Sequence, residues 1–199
     1  MAGAGRVHLV HGIHTAGQGV PIYRLLGHLV GAGFEVRYPD YGWIAAVETR
    51  VLNPVIVDVL AAYIDEGDYL VGHSNGCAII YDLLTRHEVK VGGVAFVNAA
   101  LERTITRPAW CPWIDVYFNA GDEITEAAKI AADVGIVDPA WGEMGHAGYE
   151  GPDPCITSID CGATLGMPQV SGHSTFFLPE YLTAWGPYLA KRLLNHPTE

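Results

Sequence analysis

Tyr69-Leu70-Val71-Gly72-His73-Ser74-Asn75-Gly76-Cys77-Ala78-Ile79-Ile80 is the stretch that decides the fold. A short apolar run enters Gly72-His73-Ser74-Asn75-Gly76, and apolar residues at helical spacing leave it. G-x-S-x-G between a strand and a helix is the turn that lifts a serine clear of a parallel sheet. Its glycines have a steric reason, since side chains beside so tight a turn would strike the adjoining strand and helix. Ser74 is expected in a strained backbone conformation, with a helix N-terminus behind it that favours developing negative charge. The plain alternative is a glycine-rich turn whose serine only caps the helix.

Outward from this turn, apolar runs alternate with helix-period segments, the signature of βαβ units around a mostly parallel sheet. Arg6 to His11 reads as a buried strand, Ile22 to Ala32 as a helix, and Phe34 to Tyr38 as a second strand. A helix follows from about Ala46 to Ile64, which Asn53-Pro54 must restart or kink. Tyr69 to Gly72 is the third strand and Asn75 to Arg86 the third helix. Val91 to Asn98 and Ile114 to Asn119 are further strands, Glu123 to Ala132 looks helical, and a helix near Pro179 to Leu194 closes the chain. Between Asp133 and Gly172 the periodicity is lost. So long an irregular loop is uncommon in a compact domain, so it is a functional surface element or hides a short hairpin. The fold class is α/β: one domain over residues 1–199, a three-layer α/β/α sandwich.

Composition narrows the function. The 199 residues carry 22 acidic and 11 basic side chains, a net charge of −11. Such a surface repels phosphate backbones and anionic lipid, so neither a nucleic-acid nor a membrane partner is expected. With 50% hydrophobic and 17% charged residues, disorder is excluded. No apolar run reaches the ~18 residues that span a bilayer, and no basic-then-apolar leader follows Met1, so a cytoplasmic location is expected. Cys77, Cys111, Cys155 and Cys161 form no C-x-x-C pair; Cys155 and Cys161, in one Pro/Gly-rich segment, are the pair that export would oxidise. His11 and His14 lack a third ligand at a metal-binding spacing, so neither metal nor cofactor is expected.

The chain resembles small α/β-hydrolases of the cap-less lipase, esterase and cutinase size class, over Arg6 to Leu194. In its loop and Gly-His-Ser segments it also resembles hydrolases encoded by bacteriophages. The resemblance implies a triad in the order serine, acid, histidine, each after a later strand. Asp122 then fills the acid position, after the Asp115 to Phe118 strand and its small-residue turn, with Glu123 as its neighbour and helix capping as its plain role. Asp115, at the start of that strand, lies at the wrong end of the sheet. His173 precedes the last helix and fits the base, with His146 as competitor. Asn75, after the nucleophile, implies one oxyanion-hole amide. Val10-His11-Gly12-Ile13-His14 resembles the family's His-Gly oxyanion loop and implies Ile13 as the other, with Gly12 and His14 beside the substrate.

The implied chemistry is acyl transfer through an acyl-enzyme, with activity falling below about pH 6 to 7 as a histidine base takes up a proton. A chain too short for a cap leaves an open site walled by loops. Trp141, Met144 and His146, with Tyr149, Trp110 and Trp113, are the candidate substrate rim, or else core residues under a long loop. The expected partner is a small acyl ester of short to medium chain length. A thioester, an amide or an acetylated polysaccharide would suit the same triad, and a non-catalytic binding protein on this fold is the remaining alternative.

Overall fold

Six parallel strands form one sheet in the order β2-β1-β3-β4-β5-β6 in a computed structural model of the chain. It describes residues 4–13, 20–125, 132–133, 135, 141–167 and 172–196. The strands are β1 (Arg6–Val10), β2 (Glu35–Arg37), β3 (Tyr69–His73), β4 (Gly93–Val97), β5 (Ile114–Phe118) and β6 (Ile156–Asp160). The helices are α1 (Leu26–Gly31), α2 (Thr49–Ala61), α3 (Asn75–His87), α4 (Met144–Ala147), α5 (Cys161–Leu165) and α6 (Pro179–Asn195). Among the described residues, no helix is long and apolar enough to cross a membrane.

The apolar runs belong to strands covered on both faces, which is why they show no polar alternation. Along β4, Val94 and Phe96 enter one core while Ala95 and Val97 enter the other. The first core lies under α2 and α3; the second lies under α1 and α6 and includes Trp185, Phe176 and Phe177. Period-two side-chain alternation thus produces the three layers expected from the sequence.

Three features of the sequence take definite form. Among the described residues, the segment from 133 to 172 contains α4, β6 and α5, so that part of it adds a strand to the sheet. Strand β6 hides because it is an edge strand: Thr157 and Ser158 are exposed, leaving a polar middle in Ile-Thr-Ser-Ile-Asp. Helix α2 runs through Pro54 without restarting. The carbonyl of Arg50 loses its usual donor there, and Arg50 is exposed, so water can take its place. Cys155 and Cys161 stand at opposite ends of β6, and both thiols are free.

Three buried histidines make the fold acid-sensitive. Burial lowers the pKa of His8, outweighing the Asp68 carboxylate 2.7 Å from its Nε2. Burial also lowers that of His11, and it holds that of His73 well below the ordinary value. The folded state therefore binds fewer protons than the unfolded chain, whose histidines titrate near 6.5. This contribution to stability is complete above about pH 6.5 and is lost as pH falls below it. Melting temperature is expected to drop steadily between about pH 7 and pH 5; a flat profile there would contradict it.

Candidate active site

The turn at Ser74 is held by close approach on every side. Ser74 adopts φ 58 and ψ −126, and it precedes the first residue of α3. Its N–H donates to Val97 at 3.1 Å, and its carbonyl accepts from Cys77 at 3.0 Å. A methyl group at Gly72 would lie 2.9 Å from the Cys77 nitrogen. At Gly76 it would collide with the Val10 carbonyl and sit 2.7 Å from that of His11. These obstacles are backbone atoms that no rotamer change can move. Gly76→Ala is therefore expected to destabilise the protein by about 3 kcal/mol in urea unfolding, and a loss under about 1 kcal/mol would show the crossing to be looser.

Asp122 and His173 meet although 51 positions separate them. The His173 Nδ1 lies 2.8 Å from one carboxylate oxygen of Asp122 and 3.0 Å from the other. Asp122 follows β5 and is 1% exposed; its Oδ1 also accepts the Thr125 N–H at 3.3 Å, so it caps the next turn as well. Glu123 is exposed. The two loops are tied by the Gly172 N–H donating to the Gly121 carbonyl at 3.3 Å. The other ring nitrogen, Nε2 of His173, is buried and makes no hydrogen bond.

Two further residues, invisible as site residues in the sequence, hold His173. Asn98, at φ 47 just past β4, donates from Nδ2 to the His173 carbonyl at 2.6 Å. His73 lies 3.3 Å from the same carbonyl through Nε2, and its ring centroid is 4.8 Å from that of His173. Because burial keeps His73 neutral, its Nε2 can carry the donated proton. Residue 73 therefore faces the histidine loop.

The loop after β1 reaches the same place. A methyl group at Gly12 would lie 2.8 Å from the Ser74 Cβ and 3.2 Å from its Oγ, so glycine there permits the approach. His11, fully buried, stacks on Tyr41 at 3.9 Å, and the Tyr41 hydroxyl donates to the His11 carbonyl. Asn75 is buried, and as the first helical residue its N–H has no acceptor within the helix. Its side chain exchanges two hydrogen bonds of 2.9 Å with Asn53 of α2 and accepts the Trp141 indole N–H at 2.8 Å.

No protein-family model matches the sequence, and no curated protein matches it either. Solved structures do. A hydrolase of the alpha/beta superfamily from Xanthomonas campestris matches at 15% identity and TM-score 0.58, covering 98% of this chain and 100% of its own. A monoacylglycerol lipase from Paleococcus ferrophilus matches at 16% identity and TM-score 0.53, over 96% of this chain and 95% of its own. A methylesterase from Arabidopsis matches at 13% identity and TM-score 0.56, over 94% and 98%. The chain has the α/β-hydrolase fold.

On that fold, Ser74, Asp122 and the Gly12 loop all follow the C-terminal ends of parallel strands, where the sheet opens. The expected rim residues are placed differently. Met144 is fully buried, and its N–H donates to Leu101 at 3.0 Å. Trp141 is buried behind Asn75. Trp113 precedes β5, at the opposite end of the sheet, and stacks on His196 at 3.9 Å. Asp115 is at that end too, bound by Arg192 at 2.7 and 2.8 Å. His146, on α4, is half-buried and makes no ion pair with a carboxylate among the described residues. Ile13 is half-buried against the core under α2 and α3, and His14 lies outside the described residues.

Proposed function

We propose that the protein is a serine hydrolase, a carboxylesterase of short- to medium-chain acyl esters. Ser74 is the nucleophile, His173 the base and Asp122 the group that orients it. The observation that carries this reading is the buried His173–Asp122 pair, presented from two loops beside a serine elbow of strained backbone. With Nδ1 engaged by the carboxylate, Nε2 is left to take the serine proton. A Ser–His hydrogen bond that closes only with substrate bound is common in such sites.

Attack of Ser74 Oγ on the acyl carbon breaks the carbonyl π bond and places negative charge on its oxygen. The amides of Ile13 and Asn75 receive that charge, and the positive end of α3 favours it. His173 then protonates the leaving alkoxide, and the ester bond breaks to give an acyl-enzyme. A water deprotonated by His173 releases the acid. Similarity in fold to a lipase and a methylesterase supports a hydrolase.

The test is direct. A fluorophosphonate probe should label the purified protein once, at Ser74, as located by peptide mass spectrometry. p-Nitrophenyl acetate and butyrate should turn over faster than matched thioesters and anilides. A folded protein that takes no label would overturn the reading, and preference for thioester or amide would move it to another acyl bond.

The Asn53–Asn75–Trp141 bonds place one oxyanion donor from behind. Trp141→Phe keeps the ring bulk and removes one bond to Asn75 Oδ1. It is expected to lower kcat roughly 3- to 10-fold with KM little changed, because transition-state charge feels the amide more than bound ester does. A change confined to KM would assign Trp141 to substrate contact instead.

A further inference from the structure

Helix α2 turns apolar side chains to the solvent. Val51, Val55 and Val59 stand on α2, with Val47 in the short turn before it and Tyr63 in the turn after it; all five are spaced by four and are 52% to 70% exposed. Residues spaced by four form a ridge on a helix surface, here about 12 Å long from Val51 to Val59. The opposite face of the same helix carries Asn53, Val57 and Leu60, all buried. Hydrophobic side chains therefore occupy both faces, and only the inner one packs on a core among the described residues. Tyr38, more than half exposed, lines the same groove as Val55, Val59 and Tyr63 and lengthens the patch. A groove of about 840 Å³ between α2 and the loop from Tyr38 to Ile44 continues it.

We propose that a second copy of this chain covers this face, through a two-fold interface in which α2 packs on α2. The first argument is area. Six residues at these exposures leave on the order of 600 Å², what each partner contributes at the small end of specific interfaces. A monomer seldom leaves so large an apolar patch uncovered. The second argument is self-complementarity. An evenly spaced ridge of small β-branched side chains fits the grooves beside an identical ridge, at a crossing near −50°. A two-fold axis at Val55 sets Val51 against the other copy's Val59. Asp58 flanks the ridge, and its carboxylate is bonded to Arg86 and His87 of its own chain.

The proposal does not depend on the esterase reading, since the ridge is formed by residues outside that site. Analytical ultracentrifugation of the wild-type chain should show a dimer that dissociates on dilution from about 100 µM. Val55→Arg sets two like charges against each other at the axis and should give a monomer that keeps its melting temperature. Val30→Arg, on exposed α1, should stay dimeric. Val51→Lys should weaken the dimer at least about tenfold, and Val51→Lys with Val59→Glu should regain it, because the new lysine and glutamate face each other across the axis. A wild-type chain that is monomeric at about 100 µM overturns the proposal, whether or not it binds zwitterionic vesicles. So does a dimer that survives Val55→Arg, or a double variant no better than Val51→Lys.

Discussion

Replacing Ser74 by alanine is expected to reduce turnover of a p-nitrophenyl ester by about 10⁶-fold, with the fold intact. The magnitude follows from removing the atom that forms the covalent bond, which leaves only water attacking an ester held by the oxyanion amides. Rate and stability should separate at this position. Ser74 sits at φ 58 and ψ −126, a conformation that glycine adopts freely and other residues hold under strain. Ser74→Gly is thus expected to be as inactive as Ser74→Ala and to melt at a higher temperature than both Ser74→Ala and the wild-type chain. Measuring kcat together with thermal unfolding checks both statements. If Ser74→Ala retained even about a hundredth of wild-type turnover, the nucleophile would have to be sought elsewhere.

The second large effect distinguishes two histidines. His173→Ala is expected to lose about 10⁶-fold in kcat, while His146→Ala stays within about threefold of wild type. Both follow the acid in sequence, and either would satisfy the chain order of such a triad. They differ in their surroundings. His173 has its Nδ1 2.8 Å from the Asp122 carboxylate, with its carbonyl held by Asn98 and His73. Among the described residues no carboxylate pairs with His146, which rides on α4, a single helical turn. Asp122→Asn should fall between them, at about 10⁴-fold, because the amide favours the wrong tautomer of His173. Equal losses at the two histidines would mean that both take part in proton transfer.

Local pattern made much of this protein legible before any coordinates. The elbow was legible because its requirements are local. Two glycines and a serine within five residues, with an apolar strand before and a helix after, leave few other conformations. The buried strands were legible because a run with no polar residue needs cover on both faces. Strand β6 was not, since an edge strand with an exposed middle reads like a turn-rich loop. The choice between rim and core for the apolar residues was not legible for a related reason. Met144, Trp141 and Trp113 are apolar, and apolar character states that a side chain will be covered, not whether ligand or protein covers it.

The alternation of strands and helices, the sharp turn at Ser74 and the acidic charge are properties of neighbouring residues or of composition, and so are written in the chain itself. Which groups meet depends on how the chain packs. Asp122 and His173 are 51 positions apart, Asn75 and Trp141 are 66 apart, and Asn98 and His173 are 75 apart. No periodicity encodes such pairings. They arise when parallel strands align their C-terminal ends and two cores seal the layers, so that loops of unrelated sequence are forced together at one edge of the sheet.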